Sequence, residues 1–195
     1  MKTAFENYLR RQQTGLSEVD IHRISALATT RKLRRKEFLL REGEVCRHKT
    51  FIVTGLLRTF SITPDGNEHI LLFSPENTWT LEVESYDRQM PARSAIDAVE
   101  SSEILQWTKP DFNILLDEIP QLRRLSEQLI SRSIHSSRQR IMTTLSATPE
   151  ERYDEFVQNH PELLVRLPLR MIAAYLGVSL KTLTRIRHTQ LQRLS

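Results

Sequence analysis

After Pro120 no proline or glycine interrupts the chain until Pro149, and Leu122, Leu125, Leu129, Ile130, Ile134, Ile141, Met142 and Leu145 recur mostly three, four or seven residues apart. That period predicts one continuous α-helix with an apolar stripe. About 26 helical residues span roughly 40 Å at 1.5 Å per residue, more than the core of a small domain requires. The stripe therefore asks for a partner helix, and a second copy of the chain is the simplest supplier. The alternative is a long helix packed only on its own domain.

Upstream the texture differs. Helical spacing opens the chain at Phe5, Tyr8 and Leu9 and resumes at Val19, Ile21, Ile24, Leu27 and Ala28, with Ser17 as N-cap three residues before Asp20. From Lys36 to Lys109 come short apolar runs: Phe38-Leu39-Leu40, Phe51-Ile52-Val53, Leu56 to Phe60, His69 to Phe73, Ser94-Ala95-Ile96 and Ile104 to Trp107. Turn residues separate them, including Thr63-Pro64-Asp65-Gly66-Asn67, where Asp-Gly between apolar runs marks a hairpin. Short strands at this spacing predict a β-barrel or sandwich. The basic run Arg31 to Lys36 reads as a solvated lead into the first strand rather than a second binding site.

Charge divides unevenly along the chain. The whole carries +4, yet from His160 to Ser195 six Lys and Arg (Arg166, Arg170, Lys181, Arg185, Arg187, Arg193) face one acid, Glu162, a net of +5 that leaves −1 for the first 159 residues. A basic C-terminal segment is what contact with nucleic acid requires. Cys46 is the single cysteine, which excludes intramolecular disulfides, a four-cysteine zinc site and a four-cysteine iron–sulfur cluster. The six histidines show no metal-ligand spacing, so no metal is expected. No apolar run approaches the roughly 20 residues of a membrane span. The opening MKTAFENYLRRQQ places charges where a secretory signal needs an apolar core, so a cytoplasmic protein without membrane contact is expected.

The last segment is the most specific. Pro168 starts a helix carrying Leu169, Ile172, Ala173 and Leu176, Gly177 ends it, and Ser179 caps a second helix that turns Leu183 and Ile186 inward. Small Ala173, four residues before Gly177, lets the helices approach. This is the pattern of a helix-turn-helix, whose second helix enters the DNA major groove. Arg170, Ser179, Leu180, Lys181, Thr182, Arg185, Arg187 and His188 are the candidate DNA contacts, the cations supplying phosphate neutralisation and guanine readout. Leu180 either meets a thymine methyl or packs on the preceding helix. A helical hairpin that does not bind DNA would bury the same apolar residues without needing the positive charge.

A strand domain, a long helix and a terminal helix-turn-helix, in that order, resemble the Crp/Fnr family of bacterial transcription regulators. The resemblance rests on Glu42-Gly43-Glu44, Phe51 to Arg58, Pro64-Asp65-Gly66-Asn67-Glu68, Pro91-Ala92-Arg93-Ser94-Ala95 and, above all, Ile172 to Arg185. It implies an α+β protein: an N-terminal jelly-roll β-barrel like a cyclic nucleotide-binding domain with flanking helices (1–110), a long dimerisation helix (111–147) and a helix-turn-helix domain (148–195). The dimer seam would use Leu122, Leu125, Leu129, Ile130, Ile134 and Ile141. Expected partners are double-stranded DNA, a second copy, RNA polymerase and a small-molecule effector of unknown identity. No enzymatic activity is expected.

Departures from the family pattern bear on the effector. Members that bind cyclic AMP carry a Gly-Glu-Leu segment ahead of the Arg-Ser-Ala stretch, whereas here Glu76 to Glu84 contains no glycine. Glu82 and Glu84 add negative charge where a phosphate would enter, so Arg93, which with Ser94 matches the phosphate-binding pair, is expected to pair with one of them. The candidate effector pocket is Glu82, Glu84, Arg93 and Ser94, with no cofactor and no cyclic AMP expected. Two other classes compete with a regulator: a small-molecule receptor or protein-docking module without DNA binding, and a cupin-type enzyme. The enzyme lacks a His/Glu ligand cluster in the sequence.

Overall fold

In a computed structural model of the chain, residues 1–12 and 15–194 are described, the side chains of 190–194 excepted. In order they form α1 (Lys2–Arg11), α2 (Glu18–Ala26), β1 (Thr29–Leu33), β2 (Phe38–Leu40), β3 (His48–Thr54), β4 (Leu57–Ile62), β5 (Glu68–Ser74) and β6 (Trp79–Thr80). There follow α3 (Val83–Arg88), β7 (Ala95–Ala98), β8 (Ser102–Thr108), α4 (Lys109–Glu118), α5 (Pro120–Ser146), α6 (Pro149–Asn159), a 3-10 turn at Pro161–Leu163, α7 (Leu169–Leu176) and α8 (Leu180–Leu194). Two compact units result: Met1–Ser61 with Leu71–Ile130, and Ile62–Ile70 with Ser131–Ser195. The units thus divide within α5 and within the β4–β5 hairpin.

The strands make two four-stranded sheets, β1-β8-β3-β6 and β2-β7-β4-β5, the sandwich form of the strand domain read from the sequence. Successive strand residues point to opposite faces, and adjacent residues in β3 serve two cores. Ile52, with Leu33 and Ile104, meets Leu40, Leu57 and Ile96 of the other sheet. Phe51, with Val53, Leu105 and Trp107, packs under Phe5, Leu9, Ile24, Phe112 and Leu122 from the helices. The indole of Trp107 is fully buried and donates to the Ile24 carbonyl at 2.8 Å, which satisfies its one polar atom. In the second sheet Arg58 and Asp97 face each other in register and form a buried two-pronged ion pair, Nε to Oδ1 at 2.8 Å and Nη2 to Oδ2 at 3.1 Å.

Local chemistry explains the element ends. Ser17 caps α2 as expected, within a reciprocal box with Asp20. The helical pattern expected from Asp111 is two helices, because Pro120 drives Ile119 out of helical geometry (φ −122°, ψ 89°); the uninterrupted helix begins at Pro120 and runs 27 residues. Three short elements have no clear signal in the sequence. β1 is an exposed edge strand paired only with β8, β6 has two residues, and α3 is a six-residue helix capped by Glu82.

The expected dimer seam needs one correction. Leu122 and Leu125 are 1% and 3% exposed and belong to the chain's own core with Ile119 and Leu115, and Leu129 packs partly against that core. The first turns of α5 cover the outer face of β3 and β8, so Leu122 and Leu125 are taken up by the chain's own core, while Leu129 is half-buried. Ile130, Ile134 and Ile141 are solvent-exposed, as are Met142 and Leu145.

Candidate nucleic-acid interface

The second unit builds the helix-turn-helix from its caps outward. Thr148 and Glu151 form a reciprocal capping box that starts α6. α7 ends at Gly177, whose φ of +66° is the left-handed conformation that glycine adopts without strain. The Gly177 and Val178 amides both donate to the Ala173 carbonyl, which fixes the turn. Ser179 Oγ then accepts from the Thr182 amide at 3.0 Å and caps α8. Between the helices Ile172, Ala173, Leu176, Leu183 and Ile186 are buried, joined by Tyr153 and Phe156 of α6.

With that face buried, the opposite side of α8 is left to solvent. Ser179, Leu180, Lys181, Arg185, Arg187 and His188 are exposed, and Thr182 is half-buried. Arg170, on α7, is also exposed. Lys181 and Arg185 lie four residues apart and share a face. Arg193, counted in the basic excess, lies outside the described side chains. All eight candidate contacts thus fall on one helix-turn-helix, and none of the cations among them is buried.

Three contacts in this unit have no sequence signal. Arg185 lies 3.6 Å from Glu150 of α6. Arg152 of α6 donates to the Leu176 carbonyl at 3.0 Å, tying α6 to the end of α7. Arg140 of α5 donates to the carbonyls of Ile70 and Tyr175 and stacks 3.9 Å from the centre of the Tyr175 ring. Burial lowers the affinity of Arg140 for its proton and raises the Tyr175 phenol above its ordinary value. These are long side chains bonded to groups distant in sequence, and no spacing rule marks them.

In the first unit the four candidate effector residues do not converge into one pocket. Glu82 caps α3, its Oε2 accepting from the Ser85 amide at 2.6 Å. Glu84 lies 3.2 Å from Arg88 and 3.7 Å from Arg93, and the Arg93 side chain is 76% exposed. Ser94 is buried. Arg93 has therefore taken a carboxylate partner, as its acidic surroundings predict.

A ligand-domain-like sandwich followed by a capped, basic helix-turn-helix defines a DNA-binding transcription regulator. Residues 30–118 match the cyclic nucleotide-binding domain family. The chain is 27% identical over 167 residues to the transcriptional activator protein Anr of Pseudomonas aeruginosa, covering 80% of this chain and 68% of that one. It is 28% identical over 153 residues to the nitrogen fixation regulation protein FixK of Bradyrhizobium diazoefficiens, covering 73% and 62%. Its fold is similar to the solved structure of FixK2 from Bradyrhizobium japonicum, with a TM-score of 0.74, 19% identity and 85% of both chains covered. The c-di-GMP responsive regulator CLP of Xanthomonas campestris has the same TM-score at 12% identity, covering 91% of this chain and 92% of that one. The chain is thus similar to transcription regulators of the Crp/Fnr family, and the relatives it matches are regulators rather than enzymes. Among the described residues no helix is long and apolar enough to cross a membrane.

Proposed function

We propose that the chain acts in the cytoplasm as a homodimer that places α8 in the DNA major groove. The observation that carries this reading is the capped α8, with Leu183 and Ile186 buried and Lys181, Arg185, Arg187 and His188 in solvent. Exposed Ile130, Ile134 and Ile141 on α5 supply the apolar seam for a second copy, and two-fold pairing matches DNA half-sites one helical turn apart. RNA polymerase is the further partner that a regulator of this family serves. The sandwich acts as the effector-sensing module, and cyclic AMP is not its effector on this reading, because Glu84 sets a negative charge 3.7 Å from Arg93 where a phosphate would enter and the stretch from Glu76 to Glu84 has no glycine to let the backbone approach one.

Fluorescence anisotropy against a selected operator and a scrambled duplex at two salt concentrations tests the reading. The operator should bind more tightly than the scramble, and both affinities should fall by orders of magnitude as salt rises. Weak, salt-independent binding to both would support a receptor or docking module instead. Calorimetry with cyclic AMP should give no submicromolar binding; such binding, abolished in Arg93→Ala, would overturn the effector reading.

A further inference from the structure

Between the two sheets of the first unit lies a cavity of about 250 Å³ lined by residues other than Glu82, Glu84, Arg93 and Ser94. Leu39, Leu40, Leu81 and Ile96 give it an apolar wall, completed by the buried side chain of Cys46. Three basic residues, Arg31, Arg47 and His48, also line it, together with Thr50 and Gln106, and Arg31 and Arg47 are near enough to act electrostatically on the His48 imidazole.

The acids near the cavity are already engaged. Glu44 is the one carboxylate in its lining, and its Oε2 accepts from the Arg41 amide at 2.9 Å. Glu37 accepts from Arg31 at 3.0 Å and from the Arg34 amide at 3.0 Å. Arg47 has no hydrogen-bond or ion-pair partner for its guanidinium among the described residues. The His48 imidazole is pushed below its ordinary pKa by burial and then by the nearby Arg31 and Arg47 cations, which marks an electropositive site. An apolar wall beside uncompensated positive charge is complementary to an amphipathic anion. The volume lies just under the roughly 300–1,000 Å³ typical of pockets for drug-sized ligands, which favours a small acid over a nucleotide.

We propose that this cavity binds a small amphipathic carboxylate, a medium-chain fatty acid or a single-ring aromatic acid, with its head on Arg47 and its tail against Leu39, Leu40, Leu81 and Ile96. This deepens the effector-sensing reading by naming a ligand class. It is tested without DNA, so its failure leaves the operator measurement untouched.

The probes are octanoate and benzoate, with octanol as the neutral control, titrated calorimetrically into the full chain. One of the acids should bind with a dissociation constant of about 10–100 μM, a range that ligands of this size reach, and octanol should bind far more weakly. Arg47→Ala, at an exposed position, should weaken the acid roughly tenfold or more by removing a charge-assisted contact, with thermal unfolding unchanged. Because Cys46 is the single cysteine, its alkylation by iodoacetamide reports on this cavity alone, and the bound acid should slow it. Absence of heat and of Cys46 protection at millimolar acid would overturn the proposal. So would octanol binding as tightly as octanoate, or an Arg47→Ala variant that binds as the parent does.

Discussion

Arg185 of α8 lies 3.6 Å from Glu150 in the first turn of α6, with both side chains more than half exposed. An exposed pair of this kind is worth about 0–1 kcal/mol, too little to hold Arg185 against a guanine or a phosphate. Glu150 is also a negative charge within reach of α8, the helix proposed to enter the DNA groove. Glu150→Gln should raise affinity several-fold for operator and scrambled DNA alike, the gain shrinking as salt screens it. Arg185→Ala should instead cost roughly 1–3 kcal/mol on the operator and relax discrimination at one base pair. Anisotropy titrations of both variants at two salt concentrations check the pair. An Arg185→Ala variant that is folded and binds as the parent does would remove α8 as the reader.

The two halves of α5 should respond differently to substitution. Ile134 is 48% exposed and Leu125 only 3%. Ile134→Glu should leave the fold intact and convert the dimer to a monomer with weakened operator binding, seen by light scattering and anisotropy. Leu125→Ala should lower fold stability by about 2–5 kcal/mol, the usual range for truncating a buried leucine, without acting directly on the seam. A monomeric parent at micromolar concentration would contradict the proposed seam.

These outcomes bear on what the sequence made legible. Ser17, Gly177 and Ser179 signal their caps because capping depends on one side chain and a few neighbouring backbone groups. Leu122 and Ile134, by contrast, read alike in the α5 pattern, since a stripe records which face is apolar and not what covers it; Leu122 is core while Ile134 is exposed. Arg58 and Asp97 are 39 positions apart and meet only through the register of β4 and β7. The cavity lining is likewise drawn from both sheets and the loops between them, so no local pattern announces it.

Gly55 lies between two apolar runs as a turn glycine, and its surroundings make it stricter than that. Its φ is +96°, and a Cβ there would collide with Ser102 Oγ and come within 2.7 Å of the Ser101 carbonyl oxygen and of Ser102 Cα. Two of these contacts are backbone atoms that cannot swing aside. Gly55→Ala should therefore destabilise by at least about 2 kcal/mol, combining left-handed strain with the forced movement at Ser101 and Ser102. Urea denaturation measures this, with Gly66→Ala as control: Gly66 shares a positive φ of +82°, but nothing lies within 4 Å of its Cβ position. Equal losses in the two variants would show that conformation alone sets the cost.

Lys49 provides a pH-dependent test of the first unit. Its ammonium sits 4.5 Å from the centre of the Phe112 ring and 5.4 Å from that of Trp79, and burial pulls its pKa from 10.5 to about 8, with Asp87 opposing the shift. Between about 8 and 10.5 the unfolded chain holds a proton on this residue that the folded chain has released, so the residue's contribution to stability rises with pH across that window. Below it, folding carries the full cost of burying the ammonium, partly offset by the two aromatic faces. Lys49→Met should accordingly stabilise the protein by about 1–3 kcal/mol near neutral pH. The gain should shrink as pH climbs from about 8 and vanish above about 10.5, where both states of the parent are neutral at this position. Urea midpoints of parent and variant at about pH 7, 9 and 10.5 follow the difference. A variant less stable than the parent at neutral pH would show that the aromatic contacts outweigh the burial of the charge.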